Sequence, residues 1–73
     1  MANLRQRFGR AVRKLREPTG HSQEVFAVMI KVNRTYYSRI ERGIANPSLE
    51  VLGRIAAALK VSLEELFAAV GRE

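Results

Sequence analysis

The 73-residue chain has no cysteine, no aspartate and no tryptophan, and only one histidine and two prolines. Without cysteine there is neither a disulfide nor a thiolate metal site to reinforce a small core. His21 has no Cys or Asp to work with, so no metal-ligand cluster, Cys/His pair or Ser-His-Asp set can be assembled, and catalysis is disfavoured. No apolar run approaches about 18 residues, and the arginine-studded start lacks the uninterrupted apolar segment of a secretory signal. These absences predict a soluble, cytoplasmic protein with no cofactor and no membrane association. A chain this short buries only about 60% of the surface its unfolded form exposes, so tight helix packing or self-association must complete its stability.

What the sequence has in excess is positive charge. Thirteen Lys and Arg residues stand against seven glutamates, a net charge of +6. Residues 1–42 carry ten basic and three acidic groups, net +7, whereas residues 43–73 come to −1. A one-sided basic field suits a polyphosphate partner, and the competing explanation is a merely solvated helix face.

Apolar spacing divides the chain into five helices. Leu4, Phe8, Ala11, Val12 and Leu15 fall on one helical stripe and predict an amphipathic helix over residues 3–17. Pro18 stops it, because the residue before a proline is pushed out of the helical region, and Thr19-Gly20 continues the break. Ser22 caps a second, short helix over about 22–30, with Glu24 in its first turn and Phe26, Ala27 and Ile30 facing the core. After Lys31-Val32, Asn33 caps a third helix over 34–42, which Gly43 ends. Ile44-Ala45-Asn46-Pro47 reads as a loop, and Ser48 caps a fourth helix whose Leu49, Leu52, Ile55, Ala56 and Leu59 share one face. Lys60-Val61 breaks that helix. Ser62-Leu63-Glu64-Glu65 is a capping box that opens a last helix with Leu63, Leu66, Phe67 and Val70 apolar. No stretch alternates with period two, so the expected fold class is all-α, one domain over 1–73 with its C-terminal helices at about 48–70.

The helices at 22–30 and 34–42, joined by a three-residue turn, form the helix-turn-helix arrangement that sets its second helix in the DNA major groove. Spacing alone is a weak signal, and the residue pattern is stronger. Ser22-Gln23, Phe26-Ala27, Val32, Ser38, Ile40-Glu41-Arg42-Gly43, Asn46-Pro47-Ser48-Leu49, Leu52, Ile55-Ala56, Leu59, Val61-Ser62 and Glu65-Leu66 carry it. In order and spacing this set resembles the lambda-repressor-like (XRE-type) DNA-binding domains, from about Phe8 to Phe67. Asn33-Arg34-Thr35-Tyr36-Tyr37-Ser38, followed by Ile40-Glu41-Arg42, looks most like the controller proteins of restriction-modification systems, which are small dimeric regulators.

The resemblance implies a compact five-helix domain that binds double-stranded operator DNA as a homodimer. It puts Gln23 at a position that meets a phosphate or a base edge, and Arg34, Thr35, Tyr36 and Arg39 on the base-reading face. Lys31 and Arg42 are then expected to touch phosphates, and Asn46 lies where the family's loop backbone or side chain touches DNA. Tyr37, three residues before Ile40, is expected in the core with its hydroxyl near the surface. Arg16 matches the family arginine that pairs with Glu41, a structural role, while Arg13 and Lys14 stay free to approach the backbone. Leu49, Val51, Leu63, Phe67 and Val70, apolar residues in the nearly neutral half, are the candidate dimer contacts. His21 is expected to pack, partly buried.

Three features depart from the family pattern. Lys31 replaces the glycine common in the turn, so the chain there must accept a left-handed residue or another turn. Pro18 shortens the first helix. Val25, Val28 and Met29 stand where polar residues are usual; tolerated exposure, an altered core and a partner contact such as RNA polymerase are the open readings. A rival function follows from them, a protein-interaction module such as an antitoxin or adaptor with DNA binding secondary. An RNA-binding role is weaker, since one tyrosine on a helix is not a stacking platform for unpaired bases.

Overall fold

Every helix of the computed structural model, which describes Met1–Glu73, begins where a small polar side chain can accept a free backbone N–H. The helices are α1 (Leu4–Arg16), α2 (Gln23–Met29), α3 (Arg34–Glu41), α4 (Leu49–Leu59) and α5 (Leu63–Gly71), and there is no strand. Ser22, Asn33, Ser48 and Ser62 cap the last four as their sequence positions predict. The Ser62/Glu65 capping box is formed in both directions, and acceptance from Ser62 lowers the Glu65 carboxyl below its ordinary value. Asn3 and Gln6 make a second such box at the start of α1, a cap the apolar pattern did not reveal.

Pro18 acts as expected: α1 ends at Arg16 and a single 3-10 turn, Glu17–Thr19, follows. Three later helix ends close alike, through one left-handed residue: Lys31 (φ 60°) after α2, Gly43 (φ 78°) after α3 and Lys60 (φ 59°) after α4. In each, the next residue's N–H reaches back five positions, Val32 to Ala27, Ile44 to Arg39 and Val61 to Ala56, at 3.0 Å. The turn thus keeps its left-handed geometry without a glycine at 31.

α1 runs through the middle of the fold and packs mainly on α5 and α3. Its approach to α3 is close because Gly9 has no side chain; a Cβ there would lie 2.5 Å from the carbonyl oxygens of Ile40 and Glu41. The core is built from Phe8 and Val12 of α1, Phe26 and Ile30 around α2, Tyr37 and Ile40 of α3, Ile55 of α4 and Leu66 of α5. Phe26 and Tyr37 meet as a tilted ring pair with centroids 5.2 Å apart.

Several sequence-based placements change. Leu4, at the first position of α1, is exposed rather than part of the inner stripe. The inward stripe of α4 runs Val51, Ile55, Leu59, so Val51 is 8% exposed while Leu49 is 73% exposed. In α5, Leu66, Ala69 and Val70 point inward, leaving Leu63 and Phe67 exposed and Val70 at 2%. Val51 and Val70 are therefore core residues that offer no free surface for a subunit contact; of the five candidates, Leu49, Leu63 and Phe67 do. Phe67 still leans on Phe8, with ring centroids 5.8 Å apart. No helix is long and apolar enough to cross a membrane.

Candidate nucleic-acid interface

α3 divides its residues between two tasks. Tyr37, Ile40 and Glu41 point inward, at i, i+3 and i+4, while Arg34, Thr35 and Arg39 are exposed. The inward side ends in a charged junction. Arg16 of α1 donates to Glu41 through Nε (2.6 Å) and through a second guanidinium nitrogen (3.2 Å), with side-chain exposures of only 10% and 3%. Another Arg16 nitrogen donates to the His21 carbonyl oxygen at 2.7 Å, tying down the segment that leads into α2. The Tyr37 hydroxyl also donates to Glu41, so it is buried and internally bonded rather than near the surface. His21 itself is half-buried, as expected for a packing residue.

Burial alone would raise the Glu41 carboxyl, but the donors from Arg16, Tyr37 and Gln23 outweigh it and hold the group below its ordinary value. The Glu41 hydrogen bond raises Arg16, and burial followed by the bond to Glu41 pushes the Tyr37 phenol well above its usual range. Every partner needed by the buried carboxylate is present, so the junction fixes α1, α2 and α3 relative to one another.

Gln23 links this junction to the outer surface. Its Nε2 donates to Glu41 Oε1 at 2.8 Å, a bond between residues 18 apart that no local pattern announces. The half-buried side chain then lines a surface depression with Arg34, Thr35, Ser38 and Arg42, and no apolar side chain takes part. Four expected DNA residues, Gln23, Arg34, Thr35 and Arg42, are thus brought together. Ser38 joins them unforeseen as a site residue, although its position four residues after Arg34 and four before Arg42 was the available signal. Lys31 in the turn, Arg39 further along α3 and Asn46 in the loop before α4 are exposed but outside the depression. Tyr36 is half-buried and packs against the core, so less of it is available to DNA than the sequence suggested.

The depression is a donor-rich surface. Between residues 18 and 47 the carboxylates are Glu24 and Glu41; Glu41 is buried and paired, and Glu24 stands exposed with an oxygen 3.5 Å from Arg34. Guanidinium groups can grip guanine O6 and N7 or a phosphate, and Thr and Ser hydroxyls can serve either a base edge or the backbone. No group of three or more His, Cys, Asp or Glu side chains is placed to hold a metal ion. A short helix braced from behind, followed across a tight turn by a second helix with arginines on its outer side, defines a DNA-binding helix-turn-helix module.

Comparison with known proteins narrows the class. Residues 12–66 match the helix-turn-helix family, and the chain belongs to it. The family consists of DNA-binding regulators rather than enzymes, and the chain is a DNA-binding transcriptional regulator. It is 47% identical to the control protein C.MunI of Mycoplasma sp over 74 aligned positions, covering 100% of both chains. It is 42% identical to the control protein C.BamHI of Bacillus amyloliquefaciens, over 88% of this chain and 80% of that one. Its fold superimposes on the restriction-modification controller protein C.AhdI of Aeromonas hydrophila with a TM-score of 0.81 and 39% identity, covering 85% of this chain and 94% of the other.

Proposed function

We propose that the protein is a cytoplasmic, homodimeric, sequence-specific regulator that controls a restriction-modification operon, including its own gene. The observation that carries this reading is the depression where Gln23, Arg34, Thr35, Ser38 and Arg42 converge, beside the exposed Arg39, within a chain that matches a control protein from end to end. Arg34 and Thr35 read base edges, with Arg39 and the exposed part of Tyr36 contributing further along the groove. Gln23, Lys31, Arg42 and Asn46 hold the sugar-phosphate backbone. Leu49, Leu63 and Phe67 supply the subunit contact in the nearly neutral half, where charge does not oppose association. A two-fold dimer then sets its two α3 helices about 34 Å apart, one DNA turn. Occupancy of the operator follows protein concentration through dimerisation.

The test is a binding titration on DNA upstream of the protein's own gene against a scrambled duplex. Discrimination by the wild type, with log K falling by about 0.9 per phosphate neutralised as log salt rises, is the expected result. Equal affinity for both duplexes would remove the reading. Phe67→Glu is expected to shift the protein to monomer in sedimentation and weaken operator binding with it.

Val25, Val28 and Met29, respectively 48%, 74% and 42% exposed on α2, support a partner contact beside the DNA, with RNA polymerase the partner met at a promoter. Replacing the three by Glu, Lys and Gln separates the possibilities. Regulation lost with operator affinity retained marks a partner surface.

A further inference from the structure

Glu24 is an unusual group for its location. It lies in the first turn of α2, in the half of the sequence that carries the excess positive charge, and it is the single exposed carboxylate between residues 18 and 47. Its oxygen stands 3.5 Å from a terminal guanidinium nitrogen of Arg34, with the two side chains 70% and 69% exposed. An acid here opposes the phosphate attraction that Lys31, Arg34, Arg39 and Arg42 of the same helix-turn-helix create, so electrostatic affinity for DNA is not what it serves. Stability is not a sufficient account either, because a largely exposed ion pair at this separation contributes little. The carboxylate also favours the N-terminus of α2, a role that would need no arginine beside it.

We infer that Glu24 is a specificity-determining residue, which works by restraining Arg34, the leading base reader. The inference rests on the reading of α3 as the DNA-recognition helix. A phosphate attracts Arg34 chiefly through net charge, and an adjacent carboxylate cancels that charge while itself repelling the phosphate. Guanine presents O6 and N7, two uncharged, directional acceptors that the carboxylate does not repel as an anion. The guanidinium has five N–H donors, so two can engage the base while another stays with Glu24. Glu24 therefore discourages Arg34 from settling on backbone anywhere along the duplex and leaves its bidentate contact with the correct base intact. Specificity rises through a penalty on the wrong complex rather than a gain in the right one.

The test measures affinity on two duplexes, one selected by the wild-type protein from a random-sequence pool and one scrambled, for wild type, Glu24→Gln, Arg34→Gln and the double variant. Failure of the wild type to enrich any sequence would defeat the functional reading itself, separately from the role of Glu24. Given enrichment, Glu24→Gln is expected to tighten scrambled DNA about two- to fivefold with the selected duplex changed less than about twofold. The salt slope on scrambled DNA should steepen by about 0.9, the equivalent of one more phosphate contact. In the Arg34→Gln background the same substitution should lose its preference for scrambled DNA. Equal tightening on both duplexes, or a preference that persists without Arg34, would overturn the proposal and leave Glu24 as a general repulsive charge. Thermal unfolding of each variant accompanies the titrations, so a change in folded fraction is corrected before affinities are compared.

Discussion

The domain contains the same chemical pair twice. Arg16 and Glu41 lie 2.6 Å apart and buried, while Arg34 and Glu24 lie 3.5 Å apart and open to water. Water decides what each can do. In the buried junction neither ion can be left alone, so Glu41 collects Arg16, Tyr37 and Gln23 and thereby fixes the helices that bear them. At the surface solvent screens both partners, so the pair adds little to the fold and leaves the remaining Arg34 donors available to DNA. Charge specifies geometry in one place and selects partners in the other.

The largest expected effect falls on the buried pair. Glu41→Ala should destabilise the fold by about 3–5 kcal/mol, which for a domain this size lowers Tm by more than about 12 °C in a circular-dichroism melt. An unchanged Tm would break the comparison at its stronger end. The same junction predicts an acid limb. Because the folded-state pKa of Glu41 is depressed, its contribution is complete above the ordinary value of 4.5 and is lost as pH falls below it through the folded value. Tyr37 has the opposite sign: its raised pKa contributes fully below the ordinary value of 10.0 and its contribution is lost as pH rises beyond it. Urea titrations across pH would show whether Glu41→Gln flattens the acid limb.

Next comes the exposed side, where stability and function should separate. Arg34→Ala is expected to weaken binding to the preferred duplex by about 1–3 kcal/mol, read by fluorescence anisotropy, while stability stays within about 0.5 kcal/mol. A large drop in Tm would show that the outer face of α3 is structural after all. The smallest effects belong to the two left-handed lysines. Lys31→Gly and Lys60→Gly should each raise stability by about 0.5–1 kcal/mol, since relief of the left-handed strain exceeds the added freedom of the unfolded chain. Only Lys31→Gly is expected to weaken DNA binding, and equal losses for both variants would argue against a backbone contact at 31.

The parts of the molecule that the sequence reveals are those governed by near neighbours. Ser22, Asn33, Ser48 and Ser62 announce their helices because a cap acts on an N–H three residues away. Pro18 and Gly43 announce helix ends for equally local reasons. The family pattern added the Arg16 to Glu41 pairing and four of the five residues lining the depression. Contacts that depend on how helices rotate against each other were not legible. The bond from Gln23 to Glu41 and the pair between Glu24 and Arg34 belong to this kind, as does the inward turn of Val51 and Val70. Apolar residues on both sides of α4 and α5 left two faces possible, and only packing chooses between them, α5 chiefly against α1 and α4 against α5, α1 and α2.

Gly9 bears on how the protein and its operator adjust to each other. With backbone set against backbone, and a Cβ at residue 9 only 2.5 Å from two α3 carbonyl oxygens, no side-chain rotamer lies between the helices to cushion a change of angle. A mount of this kind is expected to be stiff, and a stiff reader cannot bend to suit an imperfect groove. Adaptation on binding then falls to the duplex, whose willingness to twist or bend varies with base steps that the protein never touches. The absence of one methyl group thus makes DNA flexibility part of the operator's address.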